Sequence, residues 1–191
     1  IPSCDTAGEI SNGVFAGEVI TSQTTGLAAQ AGTIAATNNG SIVNTISAGS
    51  VVSSNGATTL GGFVGTNGAT GVITGGVSRT TVSGGDLIGG FAAVNTGSIT
   101  DAFSAGQVTA SALSAAQTGI FCAQNTGTLT DTFADKALSG SSTASIFAGA
   151  AQTDCLTAMT CGDLASSFTK QDLETAYPQL TELLDYTAYM T

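Results

Sequence analysis

The chain has 191 residues, of which 42% are hydrophobic and 8% charged; its formal net charge is −10, and it has no histidine. This apolar content can build a buried core, whereas three Lys and Arg residues cannot neutralise a nucleic acid or bind an anionic membrane surface. No apolar run reaches the length of a membrane-spanning helix, so we expect no membrane insertion. Without histidine, Ser-His-Asp triads and most zinc sites are excluded, and we predict no cofactor and no metal site.

The four cysteines, Cys4, Cys122, Cys155 and Cys161, predict disulfides, because they lack the C-x-x-C spacing and the His partners of a zinc site. Ile1 is not a start methionine, which suggests a removed signal peptide and, with oxidised cysteines, a secreted or cell-surface protein. Cys155 and Cys161 are close enough to pair locally. Cys4 and Cys122 are several repeats apart, so a bond from one of them to a second chain is an alternative. Four buried free thiols are the other alternative.

A polar motif recurs along the chain and marks a repeat. With Asn39, Asn67, Asn95 and Asn125 as the register, the copies are 28 or 30 residues apart, a spacing typical of stacked-repeat proteins. Apolar and small polar residues alternate after each copy, which predicts strands with one buried face. Asn39 also begins an N-glycosylation sequon, Asn39-Gly40-Ser41, on a predicted turn. The predicted coils lie near residues 8–36, 37–65, 66–93, 94–123 and 124–153.

A Gly-apolar segment that contains Phe belongs to each of the later coils, at Phe63, Phe91, Phe121 and Phe147. One coil cannot bury its own apolar face, but coils stacked about 4.8 Å apart would align these rings in an internal ladder. The sequence therefore predicts an all-β fold in which residues 1–162 form a short β-solenoid, or β-helix, of about five coils. A hairpin-based sandwich is the alternative.

The segment Leu60-Gly61-Gly62-Phe63-Val64-Gly65-Thr66-Asn67, with the later Val72-Ile73, resembles the GLUG repeat, whose core reads roughly G-L-V-G-x-N-x-G-x-I. The resemblance covers about residues 8–153 and is closest in the second to fourth copies. In Gly89-Gly90-Phe91-Ala92-Ala93-Val94-Asn95 an alanine replaces the usual central glycine. GLUG repeats occur in bacterial surface proteins and secreted peptidases. The resemblance implies a β-helical stalk or adhesive module and no active site.

From about Asp163 onward the pattern changes, because glycine disappears and apolar residues follow helical spacings. These residues are Leu164, Phe168, Leu173, Tyr177, Leu180, Leu183 and Leu184. Pro178 separates one short predicted helix from a second. A solenoid must cover its last coil or its strands will pair with another molecule. We therefore predict that residues 163–191 form a small helical C-terminal cap.

Two carboxylates occupy matching positions in successive copies, Asp101 and Asp131. Paired carboxylates carry out glycoside hydrolysis, but equivalent residues in stacked coils also form a plain surface ladder. No second catalytic feature accompanies them. A carbohydrate-active β-helix enzyme is therefore the weakest functional hypothesis, and we predict that the chain is not an enzyme.

Low charge, hydroxyl-rich faces and strand edges favour an extracellular structural protein that self-associates, as a surface filament or as the subunit of an adhesive stalk. Cell-surface glycans are further candidate partners. The alternative is an ice-binding protein with a flat Thr-rich face, on which Thr100 would stack with Thr130 or Thr96 with Thr126. The Ile42-Val43 and Val72-Ile73 coils do not consistently continue these Thr columns.

Overall fold

The computed structural model describes residues 3–22, 29–54, 58–109, 118–134 and 145–147. These residues form strands, turns and bends without a helix, and strands from five successive coils stack into a β-solenoid of about four turns. The strand pairs are parallel, as a solenoid requires and a sandwich of hairpins does not allow. The predicted all-β solenoid is thus confirmed, and the predicted helical cap at 163–191 lies outside the described residues.

Each coil supplies strands to two sheets. The first coil contains β1 (Ser3–Cys4), β2 (Glu9–Ser11) and β3 (Val14–Thr21), and the second contains β4 (Ala29–Gly32), β5 (Ala35–Asn38) and β6 (Ser41–Ser53). The third contains β7 (Thr58–Gly61), β8 (Val64–Asn67) and β9 (Val72–Ser83). The fourth contains β10 (Leu87–Gly89), β11 (Ala92–Asn95), β12 (Ser98–Ser104) and β13 (Val108–Thr109). The fifth contains β14 (Thr118–Asn125) and β15 (Thr128–Ala134), and β16 (Ser145–Phe147) follows.

The first sheet has the order β1-β5-β8-β11-β14-β10-β7-β4, because β14 runs through a corner that divides the strands of the earlier coils in two. β16 pairs with β14 at the end of this sheet. The second sheet has the order β15-β12-β9-β6-β2, and β3 and β13 add to β6 and β9. Equivalent residues of successive coils therefore lie side by side in columns, about 4.8 Å apart.

The corner of the first sheet requires glycine. A Cβ added to Gly61 would collide with the carbonyl oxygen of Val64, and one added to Gly62 with the carbonyl oxygen of Gly90 in the next coil. The Gly-Gly-Phe segments are thus the places where the chain turns sharply against its neighbours.

The second sheet bends where one residue in each coil has a positive φ. These residues are Asn12, Asn44, Gly75, Asp101 and Asp131, with φ values of 53°, 48°, 69°, 52° and 47°. Asn, Asp and Gly are the residues that most readily adopt this left-handed conformation. The recurrence of Asp at matching positions of two coils therefore has a backbone cause.

The interior holds two apolar clusters. The larger lies between the two sheets and includes columns of isoleucine and phenylalanine: Ile42, Ile73, Ile99 and Leu129 in one, and Ile34, Phe63, Phe91 and Phe121 in the other. The smaller cluster is formed by Ala31, Leu60 and Ile88 against Val51, Val82 and Val108. Because each column continues through several coils, a side chain is covered mainly by its counterparts above and below.

The asparagine register predicted from the sequence is wrong by one residue in the second coil. Asn38, and not Asn39, pairs with Asn67 across β5 and β8. Asn38 ends its strand with a fully buried side chain, whereas Asn39 lies in the following bend and is half-buried. Because Asn38 and Asn39 are adjacent, the distance in sequence to Asn67 is close to the repeat length for either of them.

Candidate functional site

The most ordered polar feature of the solenoid is a column of four buried asparagines. Asn38 donates from Nδ2 to Oδ1 of Asn67 at 2.8 Å, Asn67 to Asn95 at 2.8 Å, and Asn95 to Asn125 at 2.6 Å. The side chains are between 0% and 9% exposed. Each amide thus satisfies the next, so a polar column crosses the interior without the cost of unpaired groups.

The asparagine column has two different ends. At one end, Oδ1 of Asn38 accepts a hydrogen bond from the backbone N–H of Gly40 at 3.2 Å. At the other, Nδ2 of Asn125 donates to the carbonyl oxygen of Gly127 at 3.2 Å. In the first coil the same position is occupied by Cys4, which pairs with Asn38 between β1 and β5. The amide chain therefore begins in the second coil.

The predicted phenylalanine ladder is built from three stacked rings among the described side chains. The ring centroids of Phe63 and Phe91 are 4.5 Å apart and those of Phe91 and Phe121 4.8 Å, with interplanar angles of 11° and 3°. In the second coil Ile34, which the repeat pattern did not predict, takes the position of the ring, and its N–H donates to the carbonyl of Phe63. Phe147 pairs through its backbone with Cys122 after an irregularity in the register, and its side chain lies outside the described part.

A column of buried serines, which sequence reasoning missed, joins the two sheets. Ser47, Ser78 and Ser104 donate from Oγ to corner carbonyls of the first sheet, those of Gly62 at 3.2 Å, Gly90 at 2.7 Å and Ile120 at 2.9 Å. The serines are at most 1% exposed. Their signal in the sequence is a serine at the inward position of an alternating strand, which is easily taken for a surface residue.

The outer face of the second sheet carries stacked hydroxyls. Thr74, Thr100 and Thr130 follow one another in a column, and Ser98 pairs with Thr128 in the neighbouring column. These side chains are half-buried in the third and fourth coils and exposed in the fifth. Two apolar residues interrupt the columns in earlier coils, Val43 beside Thr74 and Val72 beside Ser98, and Val72 is 44% exposed.

Thr96 and Thr126, the other predicted threonine pair, lie exposed in the turns after β11 and β14. Thr96 uses its hydroxyl to bond the carbonyl of Asn67 at 3.1 Å. This hydroxyl serves the turn and is not a free member of a flat array.

The first coil is the least covered part of the solenoid. Val14 and Ile20 of β3 are both 63% exposed, the highest values among the large apolar residues of the described chain. Ile10, Phe15 and Val19 point inward and pack against the two core clusters, but they remain only partly buried. Ile42 and Val51, the counterparts of Ile10 and Val19 in the second coil, are fully buried. In the described part of the chain, the first coil thus presents a strand edge with exposed apolar residues.

The predicted disulfide cysteines are not brought together where the structure describes them. Cys4 is a buried thiol in the first coil. Cys122 is buried in the fifth coil, where its Sγ lies 3.1 Å from the carbonyl oxygen of Gln124. Four strand spacings, roughly 19 Å, separate these coils and exceed the Cα distance of about 7 Å that a disulfide tolerates. Cys155 and Cys161 lie outside the described residues.

The predicted glycosylation site is part of the turn between the two sheets. The N–H of Asn39 donates to the carbonyl of Cys4 at 2.7 Å, and its own carbonyl accepts a hydrogen bond from Thr70 Oγ1 at 2.8 Å. Its side chain lies against Gly68 of the next coil. A sugar attached to Asn39 would therefore have to extend from a half-buried side-chain amide.

Over the described ranges, no three residues of the types His, Cys, Asp and Glu gather into a group that could hold a metal ion. The part of the chain placed by the structure likewise contains no helix long and apolar enough to span a membrane.

Comparisons with protein-family models, curated proteins and solved structures find no match to this chain. The resemblance to GLUG repeats therefore stays a prediction from the motif. What the fold and these columns define is a class, the parallel β-solenoids with internal asparagine and aromatic ladders. Function has to be argued from the surfaces of this solenoid.

Proposed function

We propose that this chain is an extracellular structural protein, a self-associating subunit of an adhesive stalk. The observation that carries the proposal is the open apolar edge of the first coil, where Val14 and Ile20 are exposed beside a strand that can accept another. Exposed strand edges are the usual sites at which β proteins add a further strand.

The interior supports a mechanical role. The interior contains packed apolar side chains and two columns of amides and hydroxyls that bond to the next coil, as Asn67 and Ser78 do. Coils linked in this way form a stiff rod, because each contact runs along the solenoid axis. A stiff rod with a polar surface suits a spacer that holds a binding surface away from a cell.

Of the two forms expected from the sequence, the stalk is favoured over the filament. A filament needs complementary open edges at both ends, whereas the last apolar residue of the isoleucine column, Leu129, is only 2% exposed. Ile10, which occupies the same column in the first coil, is only partly buried.

Sedimentation velocity and negative-stain electron microscopy of the purified chain test the proposal together. We expect short rods that associate as the concentration rises, and surface labelling of intact source cells by an antibody against the chain. A compact monomer at every concentration, or labelling only after lysis, would contradict the proposal. A glycan array tests the adhesive part, for which binding to at least one cell-surface glycan is expected.

A second candidate, ice binding, is favoured by the hydroxyl columns on the outer face of the second sheet. Thr128 and Thr130 lie about 7 Å apart along β15, and the columns repeat at about 4.8 Å, so the face presents a regular grid of hydroxyls. Val43 and Val72 shorten that grid to the later coils. Thermal hysteresis of the purified chain checks this candidate, and freezing behaviour equal to that of an inert protein would remove it.

A further inference from the structure

The N-terminal edge strand β3 has an internal symmetry that bears on what it binds. Its outward residues are Val14, Ala16, Glu18 and Ile20, and its inward residues include Phe15 and Val19. Gly17 lies at the centre, opposite Gly49 of β6. The two most exposed apolar side chains are thus equally distant from a residue without a side chain.

We propose that β3 pairs with β3 of a second copy of this chain, antiparallel and head to head, about a two-fold axis at Gly17. This proposal rests on the proposed self-association and names its surface. In this register Val14 of one copy faces Ile20 of the other, and Phe15 faces Val19. Exposed apolar residues meet exposed apolar residues, and core residues meet core residues.

Neighbouring registers of the same antiparallel pair are poorer. A shift by two residues in one direction places Glu18 directly opposite Glu18 of the second copy, and in the other direction it places Val14 opposite Glu18. In the proposed register Glu18 faces Ala16, and the two glutamates are diagonal neighbours roughly 7–8 Å apart. Ser50 donates to Glu18 Oε1 at 3.3 Å, which draws this carboxylate toward the second coil and away from the edge. Charge therefore selects one register.

A head-to-tail arrangement fits less well, because it needs an open edge at the other end of the solenoid. There the inward residues Leu129 and Ala134 are 2% and 1% exposed. If the open ends of two copies pair with each other, the product is a closed dimer. In this dimer the half-buried residues of both first coils become covered.

The first test compares charged substitutions at the edge with a matched substitution elsewhere. Val14→Lys and Ile20→Lys should each raise the dimer dissociation constant by about tenfold or more, because each removes apolar burial and adds charge at the interface. Val72→Lys changes an apolar residue that is 44% exposed on an outer face away from β3, so it should leave the constant unchanged. Sedimentation equilibrium measures the constants, and circular dichroism confirms that the three variants fold alike.

The second test fixes the orientation by cross-linking. In the double variant Val14→Cys/Ile20→Cys, mild oxidation should give a covalent dimer, because each new cysteine faces the other kind in the second copy. Either single variant should remain uncross-linked beyond the background of the unsubstituted chain. Glu18→Gln should tighten the dimer severalfold, since it removes the diagonal repulsion.

The outcomes separate this proposal from the wider one. A chain that self-associates but is equally affected by Val14→Lys and Val72→Lys, or whose double cysteine variant stays monomeric on oxidation, overturns the β3 pairing and leaves self-association standing. A chain that stays monomeric at every concentration overturns both.

Discussion

The interior coils and the first coil use the same repeat, yet their equivalent residues have different surroundings. Ile73 lies between Ile42 and Ile99 and is fully buried, whereas Ile10, the residue of the same column in the first coil, is only partly buried. Asn67 both accepts and donates within its column, whereas the first coil has Cys4 in that column. A side chain in a solenoid is therefore stabilised by its neighbours along the axis, so position in the stack matters as much as residue type.

The largest effect on stability is expected from a cavity made in the middle of the stack. Ile73→Ala should lower the free energy of unfolding by about 4 kcal/mol, because it removes a fully buried side chain that its column covers on both sides. Ile10→Ala should cost about 2 kcal/mol, since that side chain occupies the same column but is already partly in water. Urea unfolding followed by circular dichroism measures both. Equal losses would contradict the dependence on position.

The asparagine column gives the next largest effect. Asn67→Ala should cost about 3 kcal/mol, because it leaves the buried Nδ2 of Asn38 and Oδ1 of Asn95 without their partners. Asn39→Ala, outside the column, should change the free energy of unfolding by less than about 1 kcal/mol. This pair of variants also tests the register, because the reverse order of effects would place Asn39 in the column.

The serine column should respond more weakly. Ser78→Ala should cost about 1.5 kcal/mol through the lost hydrogen bond to the Gly90 carbonyl. Alanine fits this column, since Ala134 pairs with Ser104 in the fifth coil. The control Ser98→Ala, on the outer face, should change stability by less than about 0.5 kcal/mol in the same urea titration. A loss for Ser98→Ala as large as that for Ser78→Ala would count against the link between the sheets.

The smallest expected effect is a gain at the start of the asparagine column. Cys4→Asn should raise the free energy of unfolding by up to about 1 kcal/mol, because the new Nδ2 can donate to Oδ1 of Asn38 and lengthen the amide chain by one coil. Cys4→Ser, whose hydroxyl is too short to reach, should bring no gain. Thermal unfolding by calorimetry compares the two. A loss for the asparagine variant would show that the first coil cannot join the column.

Much of the fold could be predicted because the repeat places the same residue types at the same step of each coil. Phe63, Phe91 and Phe121 recur in similar Gly-apolar segments, so their stacking follows from the spacing alone. The spacing could not choose between Asn38 and Asn39, because the second coil is longer by one residue than the third. Direct contact through β5 and β8 decides it.

The parts of the candidate surfaces that could not be predicted share a physical cause. Ser47 and Ser78 look like surface residues, and only the carbonyls left by the glycine corners explain why they are buried. Ile34 stands in the phenylalanine column and Cys4 in the asparagine column. Because their residue types differ from those of the other coils, the repeat pattern does not identify them. The exposed apolar edge of the first coil can be recognised only in the structure, where Val14 is exposed and its counterpart Ile46 is buried.

The connections between strands differ in how freely their length can change. The turns from the first sheet to the second span two residues after β5, β11 and β14 and four after β8, whereas the connections from the second sheet back to the first span 84–86 in one coil and 110–117 in another. Insertions at this one corner leave the asparagine and phenylalanine registers untouched, because loop closure costs little free energy for each added residue. Natural variants, or grafted peptides, can therefore diversify one rim of the rod coil by coil while its interior is inherited unchanged.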